Sequence, residues 1–354
     1  MTLEELQAKV RAWDLQDSSS AAAKSKYGII LDHLFYHSSK EWRVYLPAAH
    51  PDFNSSYMER LAAWIGNVDS EDEQKLLLEY ALFISFFSHD DFAALYRTAM
   101  DREISRWVAA QVGARLEPSG GLTFDKLVRD EINHHTWFCP ITDSMDINEF
   151  YKVNHLAGVG HRPGFASQQM IAENKANPNP QLADDWRRYM ANPSSEPLDP
   201  KRSRPPLSRL VLLEDIVGSA SQCLSAVNWS VANLNCPVLF VPLILCPNGV
   251  NALRIQEMQS NGRLTVRPVI ELRRSDLIGP ERQGQKGWPI AEQLEKLAEL
   301  YAKRASANKD TFGYKNTGCS IATFSNTPDN TLPIVHNNPS NGGWTPLFPR
   351  IFRD

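Results

Sequence analysis

Between Leu207 and Leu272 short apolar runs alternate with helical stretches, and no other feature of the chain limits its fold as much. Leu207 to Leu213 reads as a short apolar strand. Ser219 to Leu234 reads as a helix, with Cys223, Leu224, Val227, Val231 and Leu234 along one face. Pro237 to Leu245 is almost unbroken in its apolarity, the pattern of a strand buried on both faces of a parallel sheet. Asn248-Gly249 turns into a helix over about 250–260, and Leu264 to Leu272 supplies another strand. Strand, helix, strand, helix, strand predicts a right-handed βαβαβ layer. A further helix opens at Trp288-Pro289 and runs through Leu294, Leu297 and Tyr301, and Cys319 to Ser325 is a last candidate strand.

Upstream the character differs. The first 130 residues are poor in glycine and read as helical. Segments 3–14 and 26–37 show helical spacing. Ser70-Glu-Asp-Glu73 has the form of a capping box before the apolar stretch Leu76 to Phe87. Asp91 to Val112 repeats Phe92, Leu95, Met100, Ile104, Val108 and Val112 at helical intervals. Trp137 to Ile141 reads as a strand, followed by a loop at Thr142-Asp-Ser-Met-Asp146. Residues 173–207 are polar and punctuated by proline, which reads as a long loop or flap. The division expected is a helical region, 1–130, and an α/β domain, 131–354. Charge follows the same division. Residues 1–150 carry 24 acidic and 14 basic side chains, while residues 151–354 carry 17 and 23. A phosphorylated ligand is therefore expected to meet the second part.

The N-terminus has neither a basic segment nor an apolar leader, and the longest apolar run, Pro237 to Pro247, is far short of a membrane span. Five cysteines without C-x-x-C spacing fit a reduced chain. The expectation is a cytoplasmic protein without a membrane partner. There is no P-loop, no G-x-G-x-x-G and no G-x-S-x-G, which leaves nucleoside-triphosphatase and serine-hydrolase readings without support.

Ligands of open α/β sheets bind beyond the carboxyl ends of the strands. There this sequence reads Leu210-Val-Leu-Leu213, then Glu214-Asp215-Ile216-Val217-Gly218-Ser219-Ala220-Ser221-Gln222, then a helix. A turn of small residues at a helix N-terminus is an anion site, and two carboxylates stand just before it. This arrangement resembles the binding motif of type I phosphoribosyltransferases. The resemblance implies an α/β fold with a mostly parallel sheet of that type and flanking helices, preceded by an all-α N-terminal region. It implies that Glu214 and Asp215, the catalytic candidates, hold the ribose hydroxyls. Gly218, Ser219, Ala220, Ser221 and Gln222 would wrap the 5′-phosphate, with Mg²⁺ carried largely by a pyrophosphate-containing substrate.

The sequence departs from that family's pattern in three places. Ala220 and Ser221 stand where loop glycines are usual, Gln222 stands where a threonine usually ends the loop, and Gly218 stands where purine-salvage members can carry an acidic base. Phe312-Gly-Tyr-Lys-Asn316, Asn326 to Pro333 and Trp344 to Arg350 resemble the tail of phosphoribosyltransferase-like proteins of prokaryotic conflict systems, some retron-associated. That implies an anti-phage effector acting at the anomeric carbon of a phosphoribosyl or nucleotide ligand, by transfer or by cleavage. The alternative is a non-catalytic nucleotide or nucleic-acid sensor using the same loop, with a protein or nucleic-acid partner.

Plainer readings stand beside these. Ser219 and Gln222 form an S-x-x-Q capping box, which needs no ligand. His134, His135, Cys139, His155 and His161 match no zinc template, so the identity of any metal ligand stays open. Thr142-Asp-Ser144 either lines the cleft or forms a local turn. Arg187-Arg188, Lys201 to Arg204 and Arg273-Arg274 either neutralise phosphates or are solvated surface.

Overall fold

The computed structural model describes residues 1–17, 26–49, 55–113, 124–156, 207–339 and 342–351. The chain forms two compact units, one joining its two ends, Met1–Asp91 with Arg273–Asp354, and one formed by its middle, Phe92–Leu272. The expected division at about residue 130 does not coincide with these units.

The end unit begins with four helices, α1 (Leu3–Asp17), α2 (Lys26–Lys40), α3 (Tyr57–Ile65) and α4 (Glu71–Ala81). A complete capping box lies at α3, where Glu59 N–H donates to Ser56 Oγ at 3.3 Å and Ser56 N–H donates to Glu59 Oε2 at 2.7 Å. At α4, Ser70 occupies the N-cap, but its side chain makes no capping bond. The helix expected to reach Phe87 stops at Ala81, and Ser85–Phe87 forms a strand instead, β1.

In the middle unit, α5 (His89–Thr98) passes through a wide π turn, Ala99–Ile104, into α6 (Ser105–Gly113). Helix α7 (Phe124–His135) leads directly into β2 (Thr136–Pro140), and α8 (Ile147–Val153) follows. Then come β3 (Arg209–Val217), α9 (Leu224–Asn233), β4 (Val238–Leu245), α10 (Pro247–Gln259), β5 (Leu264–Val266) and β6 (Ile270–Glu271). The sheet has the order β2-β3-β4-β5, with β6 also on β4, and every pairing is parallel. Leu210 lies between Trp137 and Val238 in the register, and Leu212 between Cys139 and Phe240. All eight residues of β4 are buried, as its unbroken apolarity requires. The protein is an α/β fold with parallel sheets, flanking helices and N-terminal helices.

Two boundaries differ from the sequence reading for a local reason. The run from Leu264 to Leu272 is two strands because Pro268 falls within it and Pro242 stands in the neighbouring strand, and neither has an N–H to give the ladder. Helix α9 begins at Leu224 rather than Ser219, so Cys223 is its N-cap and Ser219 caps nothing. Residues 173–206 of the expected flap, together with His161, Arg187-Arg188 and Lys201 to Arg204, lie outside the described residues.

The C-terminal part of the end unit contributes α11 (Ala291–Tyr301) and β7 (Ile321–Thr323), and β7 pairs in parallel with β1. This distant partner is why Ser85–Phe87 leaves the helix. The tail is fastened to the first helices by buried polar bonds. Trp64 Nε1 donates to Ile334 O at 2.6 Å, Arg60 Nε donates to Leu347 O at 2.9 Å, and Asn67 exchanges two bonds with the backbone of Thr345. The N-terminal helices thus pack against the tail within this unit. Arg273 and Arg274 pair with Asp276 at 3.0 Å and Glu281 at 3.3 Å within this unit. Among the described residues no helix is long and apolar enough to cross a membrane.

Candidate active site

The carboxyl end of β3 gathers the sequence-predicted residues. The strand runs to Val217, so Glu214 and Asp215 lie inside its last turn of pleat rather than after it, with Glu214 opposite Pro242 of β4. Glu214 is 4% exposed. Its two oxygens are met by one residue of the loop after β2, since Thr142 Oγ1 donates to Oε1 at 2.6 Å and Thr142 N–H donates to Oε2 at 3.0 Å. The next hydroxyl in that loop, Ser144 Oγ, lies 2.7 Å from Thr142 Oγ1 and donates to Asp215 Oδ1 at 3.0 Å. Thr142 and Ser144 therefore line the site. Burial, and then the neighbouring Asp215, push the Glu214 carboxyl well above the usual carboxylate range, while the two Thr142 bonds pull it down. Asp215 is half-buried.

The loop follows directly. Gly218, Ser219, Ala220, Ser221 and Gln222 connect β3 to α9, and Ser219 Oγ lies 3.0 Å from Ser221 Oγ. Ala220 has φ +63°, the left-handed conformation that glycine adopts without cost. An alanine there accepts roughly 1–2 kcal/mol of Cβ–carbonyl crowding to keep the turn. Its carbonyl takes bonds from Cys223 N–H at 3.1 Å and Leu224 N–H at 2.9 Å, which start the helix. Among the described residues no backbone acceptor meets the N–H groups of Ser219 to Gln222.

Sequence reasoning missed two supporting residues. Gly249, in the first turn of α10, sits so close to the loop that a Cβ would lie 2.8 Å from Gly218 O and 2.7 Å from Leu245 Cδ1. Tyr96, on α5, packs its ring 5.8 Å from that of Phe150. Its phenol is pushed up by burial and by the carboxylates of Asp146, Asp215 and Glu149, so it carries its proton. Helical spacing marks Tyr96 only as a core position, and nothing local marks Gly249.

Other candidates fall elsewhere. Cys139 is buried in β2, with Sγ 3.6 Å from Pro140 O, and His134 is exposed with Nδ1 3.1 Å from Asp130 O. Among the described residues no three His, Cys, Asp or Glu side chains gather as a metal site. The Cys223 thiol, next to the loop, is pushed up by burial and by Glu214 and so stays protonated.

The strand-end acidic pair and the small-residue loop at a helix start lie within the part of the chain that a known family model covers. The family model PRTase-CE matches residues 61–350. The chain belongs to this phosphoribosyltransferase-like family. The PRTase-CE match begins inside α3 and ends in the C-terminal tail, so it takes in parts of both compact units. No curated protein and no solved structure matches the chain.

Proposed function

We propose that this PRTase-CE protein binds a ribose-5-phosphate-containing ligand at the carboxyl end of β3 and transfers or cleaves at its anomeric carbon. The observation that carries the reading is the Thr142–Glu214, Ser144–Asp215 network standing beside a loop whose Ala220 holds the left-handed turn. In this reading the two carboxylates have different tasks. Glu214, already satisfied by Thr142, fixes the strand end, and Asp215 accepts hydrogen bonds from the ribose hydroxyls. The N–H groups of Ser219 to Gln222 hold the 5′-phosphate, aided by the positive end of α9. Chemistry at an anomeric carbon passes through an oxocarbenium-like state, so holding the ribose and phosphate still supplies much of the catalysis.

Carboxylate oxygens at this site suit a hard cation such as Mg²⁺ better than a soft one. With Asp215 as the half-buried oxygen donor, the ion would arrive on the substrate's phosphates, where it neutralises a pyrophosphate leaving group. The resemblance of Phe312 to Arg350 to tails of conflict-system proteins supports a role as an anti-phage effector.

The test is titration of phosphoribosyl pyrophosphate with Mg²⁺ into wild type and Asp215→Asn, alongside pyrophosphate release. Loss of charge-assisted hydrogen bonds of about 1.5–3 kcal/mol predicts roughly 10- to 150-fold weaker binding by the variant. Wild-type binding that Asp215→Asn leaves unchanged would sink the assignment. Binding that depends on Asp215 without any turnover, together with phage protection that also depends on it, would identify a nucleotide sensor instead.

A further inference from the structure

The middle unit holds a concavity built on α6 and α7, and none of the strand-end residues lines it. It encloses about 560 Å³, within the range of small-molecule sites. Its apolar lining comes from Met100, Ala109, Val128 and Ile132, and the ring of Phe124, 45% exposed, stands in its wall. The wall also includes the π turn, which contributes Met100 and Asp101. Single π turns inside α-helices are frequent at functional sites. Asn154 ties the chain after α8 to the helix just before that turn, Nδ2 donating to Tyr96 O at 3.2 Å and to Phe150 O at 2.9 Å.

The charged groups decide what fits. Two arginines, Arg106 and Arg129, and two aspartates, Asp101 and Asp125, line the opening beside the imidazole of His155. Among the described residues none of the four is held in a salt bridge. The charges balance, so the opening favours neither a net anion nor a net cation. It does offer donors and acceptors around an apolar floor and an aromatic wall. We infer that this concavity binds a neutral heteroaromatic molecule of one or two rings, its faces against the apolar lining and Phe124, and its edge hydrogen-bonded to the arginines and aspartates. A nucleobase or nucleoside has that chemistry.

The test is calorimetric titration of the full chain with adenosine, guanosine, cytidine and uridine, with benzoate and benzamidine as the anionic and cationic ring controls. The expected result is saturable one-to-one binding of at least one nucleoside, tighter than either control. Ala109→Trp, which fills the floor, should weaken it at least tenfold. Asp125→Asn and Phe124→Ala, both on exposed residues and therefore safe for folding, should each weaken it several-fold. Asp215→Asn should leave it unchanged, which separates this site from the one at the end of β3. No saturable binding of any nucleoside, preference for benzoate or benzamidine, or binding that survives Asp125→Asn and Phe124→Ala would each overturn the inference.

Discussion

Replacing Thr142 by valine keeps the shape of the side chain and deletes one hydroxyl from the most buried carboxylate of the site. In the wild type that hydroxyl donates to Glu214 Oε1 at 2.6 Å. A bond to a charged partner contributes about 1.5–3 kcal/mol, and a bond to a neutral one about 0.5–1.5 kcal/mol. The penalty therefore depends on whether Glu214 is ionised. Burial and Asp215 raise its folded pKa above the unfolded value, so the folded chain keeps a proton that the unfolded chain has already released. The stability from that proton is fully present below the unfolded pKa and is lost as pH rises through the folded one.

The Thr142 hydroxyl holds the folded pKa down, and valine lets it rise further. The variant is expected to lose about 0.5–1.5 kcal/mol in the acid range, where Glu214 is protonated, and about 1.5–3 kcal/mol once wild-type Glu214 is ionised. At 2–4 °C per kcal/mol the larger figure is a drop of about 3–12 °C in Tm. Thermal unfolding followed by circular dichroism at stepped pH between 5 and 9 reads this directly, and Thr142→Ser, which keeps the hydroxyl, should recover most of the loss. A valine variant within 0.5 kcal/mol of wild type at every pH would refute the placement of Thr142 on Glu214.

Three further outcomes test the surrounding structure. Gly249→Ala usually gains helix propensity, but here its Cβ would meet Gly218 O at 2.8 Å, so a loss of about 1–3 kcal/mol in urea unfolding is expected, with weaker phosphoribosyl pyrophosphate binding. Glu131→Ala removes the carboxylate paired with the fully buried Arg209, whose Nη2 has no partner among the described residues, and should cost about 3 kcal/mol by the same measurement. His336 is buried, and desolvation and Arg350 lower its pKa to about 3, so it folds neutral. Stability from this group is present above the unfolded pKa and is lost as pH falls, and His336→Gln should flatten the decline in Tm below about pH 6.5.

Much of the middle unit was legible in the chain because its signals are local. A short unbroken apolar run between turn residues fits a strand covered on both faces, and β4 is one. Two carboxylates and five small or polar residues in succession marked the candidate site, and the structure brings the carboxylates together with Thr142 and Ser144 of the neighbouring loop. Where the reading failed, local patterns had more than one outcome. Ser70-Glu-Asp-Glu73 and Ser56-Tyr-Met-Glu59 have the same capping-box form, yet only Ser56 makes the bonds. Ser219 and Gln222 also fit that form, but the left-handed turn at Ala220 delays the helix to Leu224.

The amino-acid sequence by itself determined the parallel βαβ layer, the position of the acidic pair at the end of β3 and the small-residue loop after it, since each depends on periodicity or on neighbours within a dozen residues. Tertiary structure alone decided that the first ninety-one residues and the C-terminal tail are one unit, because Trp64, Arg60 and Asn67 find their acceptors some 270 or more residues away. It decided that Ser85–Phe87 is a strand, because its partner Ile321–Thr323 is also remote in the chain. It also decided which member of the acidic pair is buried. Glu214 is buried against Thr142 and Asp215 is not, a difference that two adjacent carboxylates in a sequence cannot express.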